Sequence, residues 1–130
     1  MAVGLASAQA AGILDALGNA TNYTAPTAFW IELHTADPGS AGATAIAGNA
    51  TRKQVSFGAA SGGTISNDTA ITWTSGEVDT SEDYTHWAAF TASTAGTFIC
   101  SGTMTANAVT IGDQFTIPIG DLDLTLTVAA

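Results

Sequence analysis

The sequence holds two histidines, and each lies in or beside an aromatic, strand-like run: His34 in AFWIELH and His86 in YTHWAAF. With Asp37, Glu32 or the acidic segment further along the chain, they supply the residue types of a metal site or an acid/base pair. Their spacing matches no metal-binding pattern, because there is no H-x-x-x-H and no cluster with cysteine. We therefore interpret both as hydrogen-bonded histidines at the border of a sheet.

The motif LHTADPG has a simpler interpretation as a chain reversal. An aspartate before Pro-Gly can accept backbone hydrogen bonds, a proline fixes φ, and a glycine takes the positive φ that a type II turn requires. We predict that Asp37, Pro38 and Gly39 are turn and scaffold residues that launch the small-residue segment 39–50. This segment lacks clear periodicity, so we predict an exposed loop, with Ile46 available for contact with a neighbouring subunit.

An acidic segment offers the remaining candidates for metal binding. Four of the eleven acidic residues, namely Glu77, Asp79, Glu82 and Asp83, fall within seven positions. Calcium takes about six to eight oxygen ligands, and such a loop can offer several. The order of the carboxylates does not follow an EF-hand, so we interpret the segment as an ordinary solvated loop and predict neither a metal nor a cofactor.

No catalytic set is recognisable in the sequence. A serine triad would lack its G-x-S-x-G elbow, and the glycines of 58–63 lack the lysine of a phosphate-binding loop. Cys100 is the single cysteine and lies in the apolar run TFICSG, so we predict a buried and inert thiol. A cell-wall hydrolase is the enzyme alternative, and it would depend on carboxylates such as Glu82 and Asp83. We predict that the protein is not an enzyme.

The charge balance excludes two classes of partner. Arg52 and Lys53 are the only basic residues besides histidine, and the net charge is -9. Binding to phosphate backbones or to an anionic membrane surface needs a footprint of lysine and arginine. No run reaches the ~18 apolar residues of a transmembrane helix. We therefore expect no nucleic-acid partner and no membrane partner.

One helix is predicted near the N-terminus. In residues 5–17, LASAQAAGILDAL, alanine favours the helical state, and Leu5, Ile13, Leu14 and Leu17 fall largely on one face. This face can cap the domain's own sheet or dock on a neighbouring subunit. We predict an N-terminal helix or arm over residues 1–22, and these four apolar side chains are candidate subunit contacts.

The rest of the chain, residues 23–130, reads as a single β-sandwich domain. Roughly seven to nine short strands alternate with turn residues, which is typical of an antiparallel β-sandwich or jelly-roll-like fold. Within 109–128 we predict two strands, and Pro118 indicates an edge position or a bulge. The last of them, LDLTLTV, lacks proline and lysine and needs a partner or a cover, which favours assembly. The fold class is therefore mainly β with one N-terminal α-helix.

The exposure of the three tryptophans distinguishes a structural domain from a glycan-binding one. Trp30, Trp73 and Trp87 lie in alternating strands, so packing in the core is the default interpretation. A receptor- or glycan-binding module would instead expose two of them on one surface.

Four ordered segments resemble a known family of proteins. They are YTAPTAFWIELHTADPGSAG at 23–42, TRKQVSFGAASGGTISNDTAITW at 51–73, YTHWAAFTASTAGTFICSGTMT at 84–105 and VTIGDQFTIPIGDLDLTL at 109–126. Their order and spacing are similar to those of small tailed-phage virion proteins that are labelled tail fibre or minor structural proteins. The chain departs from the pattern after the TH of the third segment, where the family often continues with glycine and this sequence continues with Trp87.

The resemblance implies a non-enzymatic virion component on the outer surface of the head or tail, assembled in the host cytoplasm. We expect a capsid decoration, or head-stabilising, protein, because a single compact domain lacks the long repetitive shaft of a fibre. The alternative is a tail fibre, a tail-tip appendage or a receptor- or glycan-binding module. In either case the expected partners are major capsid or tail proteins and further copies of this chain in a homo-oligomer.

Overall fold

The computed structural model describes residues 3–129, so the outer limits of the two predicted units, at residues 1 and 130, lie outside it. The chain is mainly β, with 37% strand and 10% helix, and its sheets are antiparallel, which confirms the predicted fold class. The elements are α1 (Ser7–Asn19), β1 (Phe29–His34), β2 (Lys53–Val55), β3 (Thr64–Ser66), β4 (Ile71–Trp73), β5 (Glu82–Phe90), β6 (Phe98–Val109), β7 (Phe115–Ile117) and β8 (Asp123–Thr125).

A four-stranded sheet with the order β2-β1-β5-β6 forms the larger layer. The ribbons β3-β8 and β4-β7 form the other strand pairs. Apolar residues of the large sheet and of β4, β7 and the connecting segments make one core, whose members include Ile31, Leu33, Trp73, Trp87, Tyr84, Phe115 and Leu122.

Alternation explains why the short ribbons form strands. In β4 and β7, Ile71, Trp73, Phe115 and Ile117 are buried, whereas the intervening threonines are not. Threonine hydroxyls pair across each ribbon, with Thr72 and Thr116 3.0 Å apart. A half-buried strand needs apolar residues on its inner face, and β-branched threonines suit its outer face.

Helix α1 begins and ends two residues later than predicted. Leu5 lies before the helix, in an extended bridge to Cys100, and Ala6 donates its N–H to Ile99 O at 2.8 Å. At the other end Ala20 takes a left-handed φ of 54°, and Thr21 N bonds to Asp15 O. Pairing of the backbone at Leu5 with β6 therefore outweighs the alanine-rich propensity at the start of the segment.

The predicted C-terminal strands are shorter in the structure than in the sequence pattern. Val109 completes β6, and β7 ends at Ile117, directly before Pro118. Proline has no N–H for a ladder, and its carbonyl instead accepts from Asn67 Nδ2 at 2.9 Å. After β8, one further bond joins Leu126 N to Gly63 O at 2.8 Å.

Candidate functional site

A buried ionic cluster occupies the face of β1 opposite the core. Glu32 is 5% exposed, and its Oε2 accepts from Arg52 Nε at 2.9 Å. His34 is fully buried, and its Nδ1 lies 2.8 Å from the carbonyl oxygen of Thr44. Because a carbonyl only accepts, Nδ1 carries a proton. His34 Nε2 lies 3.2 Å from Glu32 Oε1, without the alignment of a hydrogen bond.

The carboxylate of Glu32 is held in its charged form. Burial raises the pKa of Glu32, but the contacts from His34 and Arg52 and the charge of Arg52 outweigh burial, so the net pKa lies below its ordinary value. Arg52 also donates to Ala92 O at 3.1 Å and to Ala95 O at 2.6 Å. The cluster therefore ties β1 to the turn between β5 and β6.

This geometry gives the histidines a structural role. His34 is opposite His86 in the β1–β5 register, and His86 Nδ1 contacts Thr85 Oγ1 at 2.7 Å. Asp37 is directed elsewhere, since its Oδ1 accepts from Gly39 N at 2.8 Å. Gly39 has a φ of +76°, the left-handed region that favours glycine. The structure thus does not bring Asp37 and His34 together as an acid/base pair.

The segment after this turn is packed against the sheet, so the prediction of an exposed loop over 39–50 is wrong for several residues. Gly42, Ala47 and Asn49 are buried. Ala47 N donates to Leu33 O at 3.0 Å, and Ile46 forms a bridge with His34. Backbone pairing with the edge of β1 is the physical reason. The side chain of Ile46 nevertheless remains 47% exposed.

The acidic segment does not assemble a ligand set. Glu77 accepts from Lys53 and from Thr74, and these contacts lower its pKa. Glu82 accepts from the backbone N–H groups of Gly48 and Asn49 at 3.0 and 3.2 Å. Asp79 accepts from the neighbouring Thr80 hydroxyl, and Asp83 is exposed. Within residues 3–129, no three His, Cys, Asp or Glu side chains are grouped to hold a metal ion.

Asn67 is a structural residue that the sequence did not reveal. It is 2% exposed, and its Nδ2 donates to Thr69 O and Pro118 O at 2.8 and 2.9 Å. Its Oδ1 accepts from Gly120 N and Leu122 N at 3.1 and 2.9 Å. One amide therefore fixes the β7–β8 connection against the start of β4. The Asn-Asp pair in the sequence indicates a turn but not this burial.

The tryptophans do not form a stacking surface for sugars. Trp73 is 0% exposed and donates from Nε1 to Thr51 O at 2.7 Å. Trp87 is 1% exposed and lies against Gly102. Trp30 is half-buried. The expectation that a glycan-binding module would expose two of the three is not met. Cys100 is fully buried, and burial raises its pKa to about 12.

Helix α1 is the longest element without a buried residue. Leu14 is 64% exposed and Leu17 is 83% exposed, while Ile13 is half-buried. Leu5, the fourth predicted contact, packs against the core instead. Among the described residues, no helix is long and apolar enough to cross a membrane. The strongest candidate for a functional surface is therefore the apolar side of α1, which the rest of the chain does not cover.

These features define a mainly β structural domain folded around one hydrophobic core. The family model Gp80, described as podophage GP4 fiber I protein gp80, matches residues 4–125. The match spans nearly the whole chain, so the chain belongs to this family and is a phage structural component. None of the curated proteins is a significant match.

Proposed function

We propose that this protein is a non-enzymatic subunit of a fibre on the outer surface of a tailed-phage particle, and that α1 is the arm that joins it to neighbouring subunits. The description of the family as a fibre protein supports the placement. The exposed leucines of α1 are the observation that supports the role of the arm.

The energetics favour a partner for α1. Fully burying a leucine stabilises a complex by about 1.5–3 kcal/mol. Leu14 and Leu17 leave most of that contribution unused in the isolated chain. Asp15 is the only charged residue of the helix, so the acidic character of the whole chain is nearly absent from this surface.

Capsid decoration is the second candidate for the placement. The supporting observation is that the described residues fold around one core, as we expect of a subunit that covers a lattice. In both candidates the neighbours are other virion proteins or further copies of this chain, and the carboxylates and histidines hold the fold together.

Quantitative mass spectrometry of purified particles tests the placement. A fibre subunit is expected at a small multiple of the tail symmetry, and a decoration protein at a copy number comparable with that of the major capsid protein. Reconstruction of the same particles would then show whether α1 contacts a neighbour. Absence of the protein from washed particles would overturn both placements.

A further inference from the structure

A groove follows the outer edge of β6, between the large sheet and the β7–β8 side of the molecule. One part of it is a cavity of about 450 Å³, and a second cavity of about 350 Å³ shares its lining residues Asp121 and Asp123 and continues along β6. Both are lined by Asp121 and Asp123 on one rim. The other rim is β6 itself, from Ser101 to Asn107.

The first part of this edge is already occupied by the chain's own N-terminal segment. Gly4 O accepts from Ser101 N at 2.8 Å, and Ala6 N donates to Ile99 O at 2.8 Å. Residues 4–6 thus add a short antiparallel strand to β6 before α1 begins. This edge therefore accepts an added strand, the mode in which many domains take up extended peptides.

Beyond Ser101, no residue within 3–129 pairs with the outer edge of β6. Since the backbone groups of Ile99 and Ser101 point outward, the two-residue period of a strand directs the N–H and C=O of Thr103 outward as well. Unpaired groups on an edge without lysine or proline are a template for another strand. Buried Phe115 and Ile117 line the cavity beside half-buried Met104 and provide apolar contacts.

Charge identifies the kind of chain that fits. Asp121 and Asp123 line the rim opposite the free edge. The two basic residues of this protein are already paired, Arg52 with Glu32 and Lys53 with Glu77. A second copy therefore has no spare lysine or arginine for the rim, and its net charge of -9 repels another copy.

We propose that the groove binds an extended segment of a different protein, which pairs with the β6 edge at Thr103 and places a lysine or arginine beside Asp121. The inference does not depend on the role of α1 or on the placement of the protein in the particle. It concerns a surface whose lining does not include the exposed leucines of α1.

The test uses the full chain and a blocked peptide of alternating valine and threonine with a lysine at each end. Binding is followed by amide chemical shifts and titration calorimetry, with a glutamate-flanked peptide of the same core as the comparison. We expect saturable binding of the lysine peptide, shifts along 101–107, and binding of the glutamate peptide at least about ten-fold weaker.

Two substitutions separate the contributions of edge and rim. Thr103→Pro removes an outward N–H without removing a bond to β5, and it should weaken binding at least about ten-fold. Asp121→Asn should weaken binding about two- to five-fold at low salt, whereas the matched Asp15→Asn on α1 should not. If Thr103→Pro does not fold, the two aspartate variants alone decide the question.

Three results would overturn the proposal. The first is equal binding of the lysine and glutamate peptides. The second is wild-type affinity in Asp121→Asn at low salt. The third is concentration-dependent dimerisation in sedimentation that Asp121→Asn strengthens, because a second copy would then be the natural occupant of the groove.

Discussion

Helix α1 and the polar face of β1 use their side chains in opposite ways. The helix exposes leucine to solvent, whereas the sheet buries a carboxylate and an imidazole, and the carboxylate pairs with a guanidinium that is 11% exposed. In this protein the charged groups stabilise the fold, and we propose that the exposed apolar surface of α1 serves association. Substitutions of these buried charged groups should therefore change stability, and substitutions of the exposed leucines of α1 should change assembly.

The largest effect is expected from Arg52→Met. This change leaves Glu32 buried without its ion pair and releases the carbonyls of Ala92 and Ala95. Breaking a buried pair in this way lowers the free energy of unfolding by about 3–5 kcal/mol. Urea denaturation at pH 7 measures the loss.

The matched control is Lys53→Met in the more exposed pair with Glu77, for which we expect a loss of about 1 kcal/mol or less. Equal losses of unfolding free energy in the two variants would show that the buried ion pair stabilises the fold no more than the exposed pair does.

The same cluster predicts a pH dependence. Because the pKa of Glu32 is lowered below its ordinary value of 4.5, its stabilising contribution is present above that pH and disappears as the pH falls through the folded-state pKa. In Arg52→Met, the hydrogen bond and the charge that lower the pKa of Glu32 are removed, so the effect of burial increases and this pKa rises. The difference in unfolding free energy between wild type and variant should therefore shrink as Glu32 becomes protonated. A difference that stays constant from pH 7 to pH 3 would contradict this assignment.

Asn67→Ala is expected to cost slightly less, about 3 kcal/mol. The substitution leaves the N–H of Leu122 without its partner inside the protein and removes one of the two hydrogen bonds to the carbonyl of Pro118, the other coming from Asp121 N. Thermal and urea unfolding measure the effect. Asn19→Ala removes one exposed hydrogen bond to Asp15 on α1 and should change stability by about 0.5 kcal/mol or less. Equal losses of stability in Asn67→Ala and Asn19→Ala would contradict this prediction.

A pair of glycines sharpens the comparison further. A Cβ at Gly102 would lie 2.4 Å from Trp87 Cζ2, so Gly102→Ala should destabilise the protein by about 2–3 kcal/mol. A Cβ at Gly18 in α1 meets nothing within 4 Å. Gly18→Ala should therefore raise helix stability by up to about 1 kcal/mol. Opposite shifts of the melting temperature are the expected result, and a stable Gly102→Ala would show that Trp87 can move.

The sequence predicted those parts of the fold that depend on local pattern. The alternation in AITWT identified β4, because a strand with one buried face places apolar residues, here Ile71 and Trp73, at every second position. The path of 39–50 was not predictable, since its pairing partner is the edge of β1, and small residues show no period when they pack by backbone contact. The role of Asn67 was not predictable either, since three of its four partners, on Pro118, Gly120 and Leu122, lie 51 to 55 positions away in the sequence. For the candidate site, apolar spacing identified Ile13, Leu14 and Leu17, but only the structure separated them from Leu5.

The most direct test of the central claim is the behaviour of the double variant Leu14→Gln/Leu17→Gln. Glutamine and leucine have similar helix propensities, so the free energy of unfolding of the purified chain should stay within about 0.5 kcal/mol of wild type. The control is Ile111→Gln, which changes an exposed apolar residue, 62% exposed, away from α1. All three proteins are supplied to particles that lack the natural one, and the bound fraction is measured. We predict that the double variant folds but is not retained on the particle, whereas Ile111→Gln is retained. Wild-type retention of the double variant would contradict the claim that α1 is the assembly surface.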